Sequence, residues 1–330
     1  MQDYYHLFTQ LNQAFGPSGR EQEIRETIQS LAQPYADEII TDTLGNLIVH
    51  KKGSGKKLML CAHMDSIGVV ATYIDEKGFI RFGSIGGLFK GDLINIQVRF
   101  QNGTVGVISY EEKTPFKDIA LSNLFIDIGA GSRGEAEKRV KVGDFAVFHS
   151  PTFQQGDTIC GPYLDNRIGC VALLETLKNS QNSGNDVYFV FSVQEEVGLR
   201  GAGTAAFALE PDYAVAVDVT DTGDLPERKY PMAVTMGKGA AIKVMDHSVI
   251  CSQQVREQLE EAAKSLNLPV QQEIMEFGGT DTSVIQKSQS GILTGAVSIP
   301  TRYIHSPSEM ASLQDIDGCV QLLTRWIQER

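Results

Sequence analysis

Eight residues, Gln194 to Gly201, constrain this chain more than any other stretch. The run before them, Asp186-Val187-Tyr188-Phe189-Val190-Phe191-Ser192-Val193, is apolar and rich in β-branched and aromatic residues. It reads as a strand buried on both faces. Glu195 and Glu196 follow at once, then glycines and Arg200. Two adjacent carboxylates are costly to bury unpaired, so something cationic is expected to meet them. A lone Glu-Glu pair at a strand end is more often simply exposed, and the remainder of the chain decides between the two readings.

The other apolar runs end in a similar way. Leu58 to Ala62 ends in His63-Met64-Asp65, and Tyr213 to Val217 ends in Asp218. Ile292 to Ile299 leads through Pro300-Thr301-Arg302-Tyr303-Ile304 to His305, and the helix predicted over Asp165 to Lys178 opens on a carboxylate. In open α/β sheets, ligands bind beyond the carboxyl ends of the strands. Four strand ends and one helix start are therefore expected to aim His, Asp and Glu at one region. Two histidines with three or more carboxylates suit a borderline divalent ion such as Zn²⁺, Co²⁺ or Mn²⁺. So many carboxylates favour two ions over one, with a shared carboxylate between them. A carboxylate left over would serve as general base. Singly, each residue has a plainer reading: His63 as a core histidine, Asp165 and Asp281 as helix caps, Asp218 as a surface turn.

Strands and helices alternate through most of the chain, which predicts an α/β fold: a largely parallel mixed sheet covered by helices. Helices are predicted over Tyr4 to Phe15, Glu21 to Ala32, Gly201 to Leu209, Ser252 to Asn267 (capped by Ser252) and Leu313 to Gln328. Strands are predicted over Glu38 to Thr41, Asn46 to His50, Lys57 to Ala62 and Ala240 to Met245, with an edge strand over Pro269 to Ile274. Between residues 67 and 156 the texture changes. Thirteen glycines fall there, about twice the ordinary usage. Short apolar runs at Val69 to Ile74, Phe79 to Phe82, Leu93 to Phe100, Thr104 to Ser109 and Phe145 to Phe148 predict an inserted small β-barrel. One short helix is expected there, from Gly134 to Val140. The catalytic part would then be residues 1–66 and 157–330, with 67–156 as the insert.

A net charge of -12 argues against nucleic acid and anionic membranes as partners. No apolar run is long enough to span a bilayer, and the N-terminus lacks the pattern of a signal peptide. Five scattered cysteines read as reduced thiols of a cytoplasmic protein, not as a zinc site.

In order, the motifs are Ala62-His63-Met64-Asp65-Ser66-Ile67-Gly68, Asp165-Asn166-Arg167, Glu195-Glu196-Val197-Gly198-Leu199-Arg200-Gly201, Asp218, Gly278-Gly279-Thr280-Asp281 and His305-Ser306. Across nearly the whole chain this resembles the glutamyl- and tetrahedral-type aminopeptidases, which are dinuclear metallopeptidases. The resemblance implies His63 and Asp218 on one metal, Glu196 and His305 on the other, and Asp165 bridging. It implies Glu195 as general base and Asp65 orienting His63 from behind. It implies hydrolysis of the N-terminal residue of short peptides by a hydroxide bridging two Zn²⁺ or Co²⁺ ions, Mn²⁺ being a third choice. It also implies a cis peptide at Asp165-Asn166, a barrel used for oligomerisation, and a tetrahedral homo-dodecamer. Ala240-Ala241, after Gly237-Lys238-Gly239, departs from the family, where a proline is expected.

Three rivals stand beside this reading. A glycosidase would use Glu195 and Glu196 as acid and base, but adjacent residues are poorly placed to flank a glycosidic bond. A deacylase or carboxypeptidase would use a related dinuclear site. A non-enzymatic scaffold would carry a vestigial site, which a complete ligand set disfavours. Lys238, Arg200 and Arg302 could attract a Glu or Asp first residue, or equally pair with nearby carboxylates.

Overall fold

Four parallel strands form the centre of the computed structural model, which describes residues 3–181, 183–227 and 230–330. They are Asp186–Ser192, Lys57–His63, Tyr213–Thr220 and Leu293–Arg302, side by side in that order. Alternate residues enter different cores. Leu58, Leu60 and Ala62 pack with Phe189, Val215 and Val297 on one face. Met59 and Cys61 pack with Val190 and Ala214 on the other. A strand buried on both faces must be apolar at every position, which is why 186–193 shows no alternation.

Five helices close the first face: Tyr4–Gln13, Gln22–Ala32, Leu164–Asn179, Gln253–Ser265 and Leu313–Gln328. Arg200–Leu209 and Thr282–Gln286 close the second, through Ala202, Ala205, Ala206 and Ile285. Antiparallel strands extend the sheet on both sides. Leu47–Lys51 and Glu38–Thr41 lie beyond Asp186–Ser192. Glu309–Ser312, Thr158–Gly161 and Phe153–Gln155 lie beyond Leu293–Arg302. Ala241–Met245 pairs with Leu293–Arg302 and carries Gln271–Ile274 as an edge.

The inserted barrel closes from six antiparallel strands. In order round it they are Gly68–Ile74, Ile80–Ile85, Leu124–Asp127, Val105–Tyr110, Gln97–Phe100 and Phe145–Phe148. Its core is separate from that of the sheet and includes Val69, Ile80, Phe100, Ile108, Ile126 and Phe148.

Several expectations needed correction. Leu124–Asp127 and the three strands beyond Leu293–Arg302 were not legible, being three or four residues long. The helix expected over Gly134 to Val140 is one turn, Arg133–Ala136. Ser252 and Asp281 precede helices without a side-chain cap bond. Ahead of Ala240-Ala241, the Asp315 carboxylate accepts the N–H groups of Gly237 and Gly239 at 2.6 and 2.7 Å. All five cysteines are free and buried. Among the described residues, no helix is long and apolar enough to cross a membrane.

Candidate metal centre and active site

Parallel register brings the strand ends together. Ser192 pairs with His63, and Ala216 pairs with Cys61, so Asp218 stands level with His63. That strand runs past Val217, where the apolar run ends, to Thr220, so Asp218 lies within it. After Ser192 the chain turns sharply, with positive φ at Gln194, Gly198 and Leu199. It then folds back so closely that a Cβ on Gly201 would lie 2.2 Å from Asn46 Oδ1 and 2.6 Å from the Val193 carbonyl oxygen. Only glycine permits that approach, and it leaves Glu195 and Glu196 at the crest of the turn.

Asp165 arrives differently. It and Asn166 have non-helical backbone angles inside the Leu164–Asn179 segment, and a cis peptide joins them. Asn166 Oδ1 accepts the Gly169 N–H at 3.1 Å, and Asn166 Nδ2 donates to the Val217 carbonyl at 2.8 Å. Asn166 thus does the capping that Asp165 was a candidate for, and the Asp165 carboxylate is left to face the site.

His63 Nδ1 faces the backbone carbonyl of Asp65 at 3.2 Å. A carbonyl only accepts, so a neutral ring carries its proton there and turns the Nε2 lone pair inward. Nε2 lies 3.0 Å from Asp165 Oδ1 and 3.6 Å from Asp218 Oδ1. His305 Nε2 lies 3.1 Å from Asp165 Oδ2 and 3.3 Å from Glu196 Oε2. Asp165 therefore turns one oxygen to each histidine. Glu195 gathers with His63 and Asp218, and Glu196 with His63 and Asp165, each group with its ligand atoms within 4.8 Å of one another.

Four carboxylates against two imidazoles leave the centre strongly negative. Burial pushes Glu195, Glu196 and Asp218 upward, and neighbouring carboxylates add to it. Burial alone would lower the histidines, but the surrounding carboxylates override it and raise both, His305 to about 12. Asp165 is the exception: burial raises it, yet His305 and His63 hold it well below the usual carboxylate range. Glu196 Oε1 is buried without a hydrogen-bond partner. Imidazole nitrogens and carboxylate oxygens converging with excess negative charge are a donor set that fits divalent transition ions.

Asp65 is tied less to the His63 ring than expected. Its Oδ1 is 3.6 Å from Nδ1, farther than its own carbonyl. Its carboxylate accepts the Ser18 hydroxyl at 2.6 Å and the N–H groups of Glu195 and Glu196 at 3.1 and 3.3 Å. Two further acids were missed or misread. Glu309, 1% exposed, accepts the N–H groups of Asp165 and His305, both at 2.8 Å. Asp281 accepts the Ser192 hydroxyl at 2.6 Å, and burial pushes its carboxyl up to about 6.

His63, Asp165, Glu195, Glu196, Asp218 and His305 line one cavity of about 710 Å³. Part of its remaining wall is apolar: Phe89 from the barrel, with Leu199, Leu225, Met275, Phe277 and Ile304. Asp92 and Asp221 line it too. Among the described residues, none of the three cations considered from the sequence lines it. Arg302 makes a two-pronged pair with Asp224 at 3.2 and 2.6 Å, and Arg200 is exposed and donates to the Val197 carbonyl.

A profile described as M42 glutamyl aminopeptidase matches residues 45–322. The chain belongs to that family. A putative aminopeptidase of Acetivibrio thermocellus is 52% identical over 327 residues, covering 99% of each chain. The family fold also recurs in solved structures. An aminopeptidase from the archaeon Desulfurococcus kamchatkensis superposes with a TM-score of 0.96 at 36% identity, covering 99% of this chain and 95% of that one. The Pyrococcus horikoshii TET1 peptidase, which can assemble into a tetrahedron or a large octahedral shell, superposes with 0.89 at 33% identity, covering 99% and 100%.

Proposed function

We propose that this protein is a metal-dependent aminopeptidase that removes neutral, apolar first residues from short peptides. The observation that carries the reading is the convergence of His63, Asp165, Glu196, Asp218 and His305 beside Glu195 on one cavity. His63 and Asp218 would hold one divalent ion, Glu196 and His305 a second, and Asp165 both. Zn²⁺, Co²⁺ and Mn²⁺ all suit these donors. The chemistry such ions supply is polarisation of a carbonyl and a lowered pKa for water.

The chain's own residues do the rest. The carboxylate-rich floor attracts a free α-amino end. Glu195 takes a proton from the attacking water as its oxygen bonds to the carbonyl carbon. Glu195 then gives that proton to the peptide nitrogen as the C–N bond breaks. The apolar wall receives the first side chain. A Glu or Asp first residue would meet carboxylates there, so we infer no acidic preference.

The likeness to the shell-forming Pyrococcus horikoshii peptidase supports a homo-oligomer, which would assemble through the barrel, residues 67–156. The barrel's exposed Val105, Val107 and Phe116 favour it. Five free buried thiols suit a reducing cytoplasm.

The test is Glu195→Gln, assayed with aminoacyl chromogenic substrates on protein of measured metal content. Turnover should fall by about 10²–10⁴-fold with the metal retained; near-normal turnover sinks the base assignment. Activity that survives removal of transition metals would favour a carboxylate-only glycosidase. Equal cleavage of N-acetylated and free-amine substrates would favour a deacylase.

A further inference from the structure

Two buried carboxylates support the centre from behind, and neither faces the cavity. Asp65 is fully buried, and Glu309 nearly so. A buried carboxylate normally needs a cation or several hydrogen bonds to offset desolvation. Each of these obtains hydrogen bonds from backbone N–H groups of site residues. Asp65 serves Glu195 and Glu196. Glu309 serves Asp165 through Oε2 and His305 through Oε1.

The topology explains why Glu309 can do this. It opens the strand Glu309–Ser312, which lies between Thr158–Gly161 and Leu293–Arg302. Glu309 pairs with Gly161, and Met310 with Arg302. The first neighbour runs on into Asp165 and the second into His305. Glu309 thus stands where the two segments leave the sheet and converge on the centre. Both segments need holding. Tyr163, Tyr303 and His305 all have left-handed backbone angles, with φ of 64°, 60° and 65°, a conformation that non-glycine residues keep only when the surroundings enforce it.

We propose that Glu309 is a positioning residue for the metal centre. Its two oxygens fix the spacing between the Asp165 and His305 backbones, and so hold the bridging carboxylate against the histidine of the Glu196 side. This rests on the reading that the centre takes two divalent ions. Glu309→Gln keeps the shape but sets an amide NH₂ against one of the two N–H donors. Glu309→Asp keeps the charge but is one methylene too short to span both.

The experiment is stepwise Zn²⁺ titration of metal-free, full-length protein by calorimetry, with turnover measured in parallel. Wild type should bind two ions. Both variants should bind one ion normally and the other 10–100-fold more weakly, the usual loss when a ligand's support is removed. They should lose kcat with KM little changed. A merely structural carboxylate predicts a lower melting temperature with both ions bound normally, and that result overturns the proposal. Failure of both variants to fold also overturns it, by assigning Glu309 to folding. A wild type that binds no Zn²⁺ removes the underlying metal reading instead.

Discussion

Lys243→Met tests whether the charges buried beneath the cavity act as one unit. Lys243, on strand Ala241–Met245, is fully buried. Its Nζ lies 3.0 Å from Asp246 Oδ2 and 2.8 Å from Glu273 Oε1, and both acids are buried too. Asp246 in turn accepts the N–H groups of Ser248 and Val249 at 2.7 and 3.0 Å and the Thr280 hydroxyl at 3.3 Å. Thr280 lines the cavity. Methionine matches the lysine in length but removes the charge, leaving two carboxylates facing each other without a cation. Breaking a buried pair in this way costs about 3–5 kcal/mol, or roughly 6–20 °C in melting temperature for a domain of ordinary size.

The pH dependence has a definite sign. Burial raises the Asp246 carboxyl, but Lys243 outweighs it and holds the group below its ordinary value. A depressed carboxylate contributes stability above its unfolded pKa, near 4, and loses it as pH falls through the folded value. Wild type and variant should therefore differ most near neutral pH and converge in acid. Thermal melts by circular dichroism at several pH values supply the comparison. A deficit under about 1 kcal/mol, or one that does not change with pH, would refute the reasoning.

Three further outcomes are expected. Gly201→Ala drives a Cβ into Asn46 and the Val193 carbonyl; it should cost about 1–3 kcal/mol and most turnover, and a variant with wild-type melting and activity would contradict the close approach. Phe277→Lys places a cation on the apolar wall, so kcat/KM for Glu-first over Leu-first substrates should rise about tenfold, equivalent to roughly 1.4 kcal/mol; an unchanged ratio means that this wall does not receive the first side chain. Removing metal with a chelator should lower the melting temperature, because each ion at 100 times its Kd contributes about 2.7 kcal/mol; an unmoved melting curve counts against a metal centre.

The sheet and most of its helices were legible because burial on two faces leaves a long apolar run, as at Asp186–Ser192, and one-faced burial leaves a helical period, as at Leu313–Gln328. The unread strands are of another kind. Glu309–Ser312 and Thr158–Gly161 are four residues long, and their pairing with each other joins segments far apart in sequence. Phe153–Gln155 is exposed at every position, so burial leaves no pattern in it. Leu124–Asp127 buries two residues between short turns, and a two-residue pattern does not stand out from a loop.

The centre divides in the same way. Most of the metal-facing groups were readable because they sit at the end of an apolar run, where an Asp, Glu or His needs a chemical reason; Asp165 instead opens a helix, and His305 lies past its run. The groups that hold them were not, because a backbone N–H leaves no trace in the residue type that carries it. Glu309 looks like any acid in a polar loop, Ser306-Pro307-Ser308-Glu309. Its partners, Asp165 and His305, are 144 and 4 positions away, and only the strand pairing brings all three together. The family resemblance places Asp65 behind the His63 ring, and nothing in the sequence shows that its carboxylate also reaches the N–H groups of residues 130 and 131 positions away. Side-chain chemistry marks where a site is. How firmly it is held depends on backbone partners that only the fold can choose.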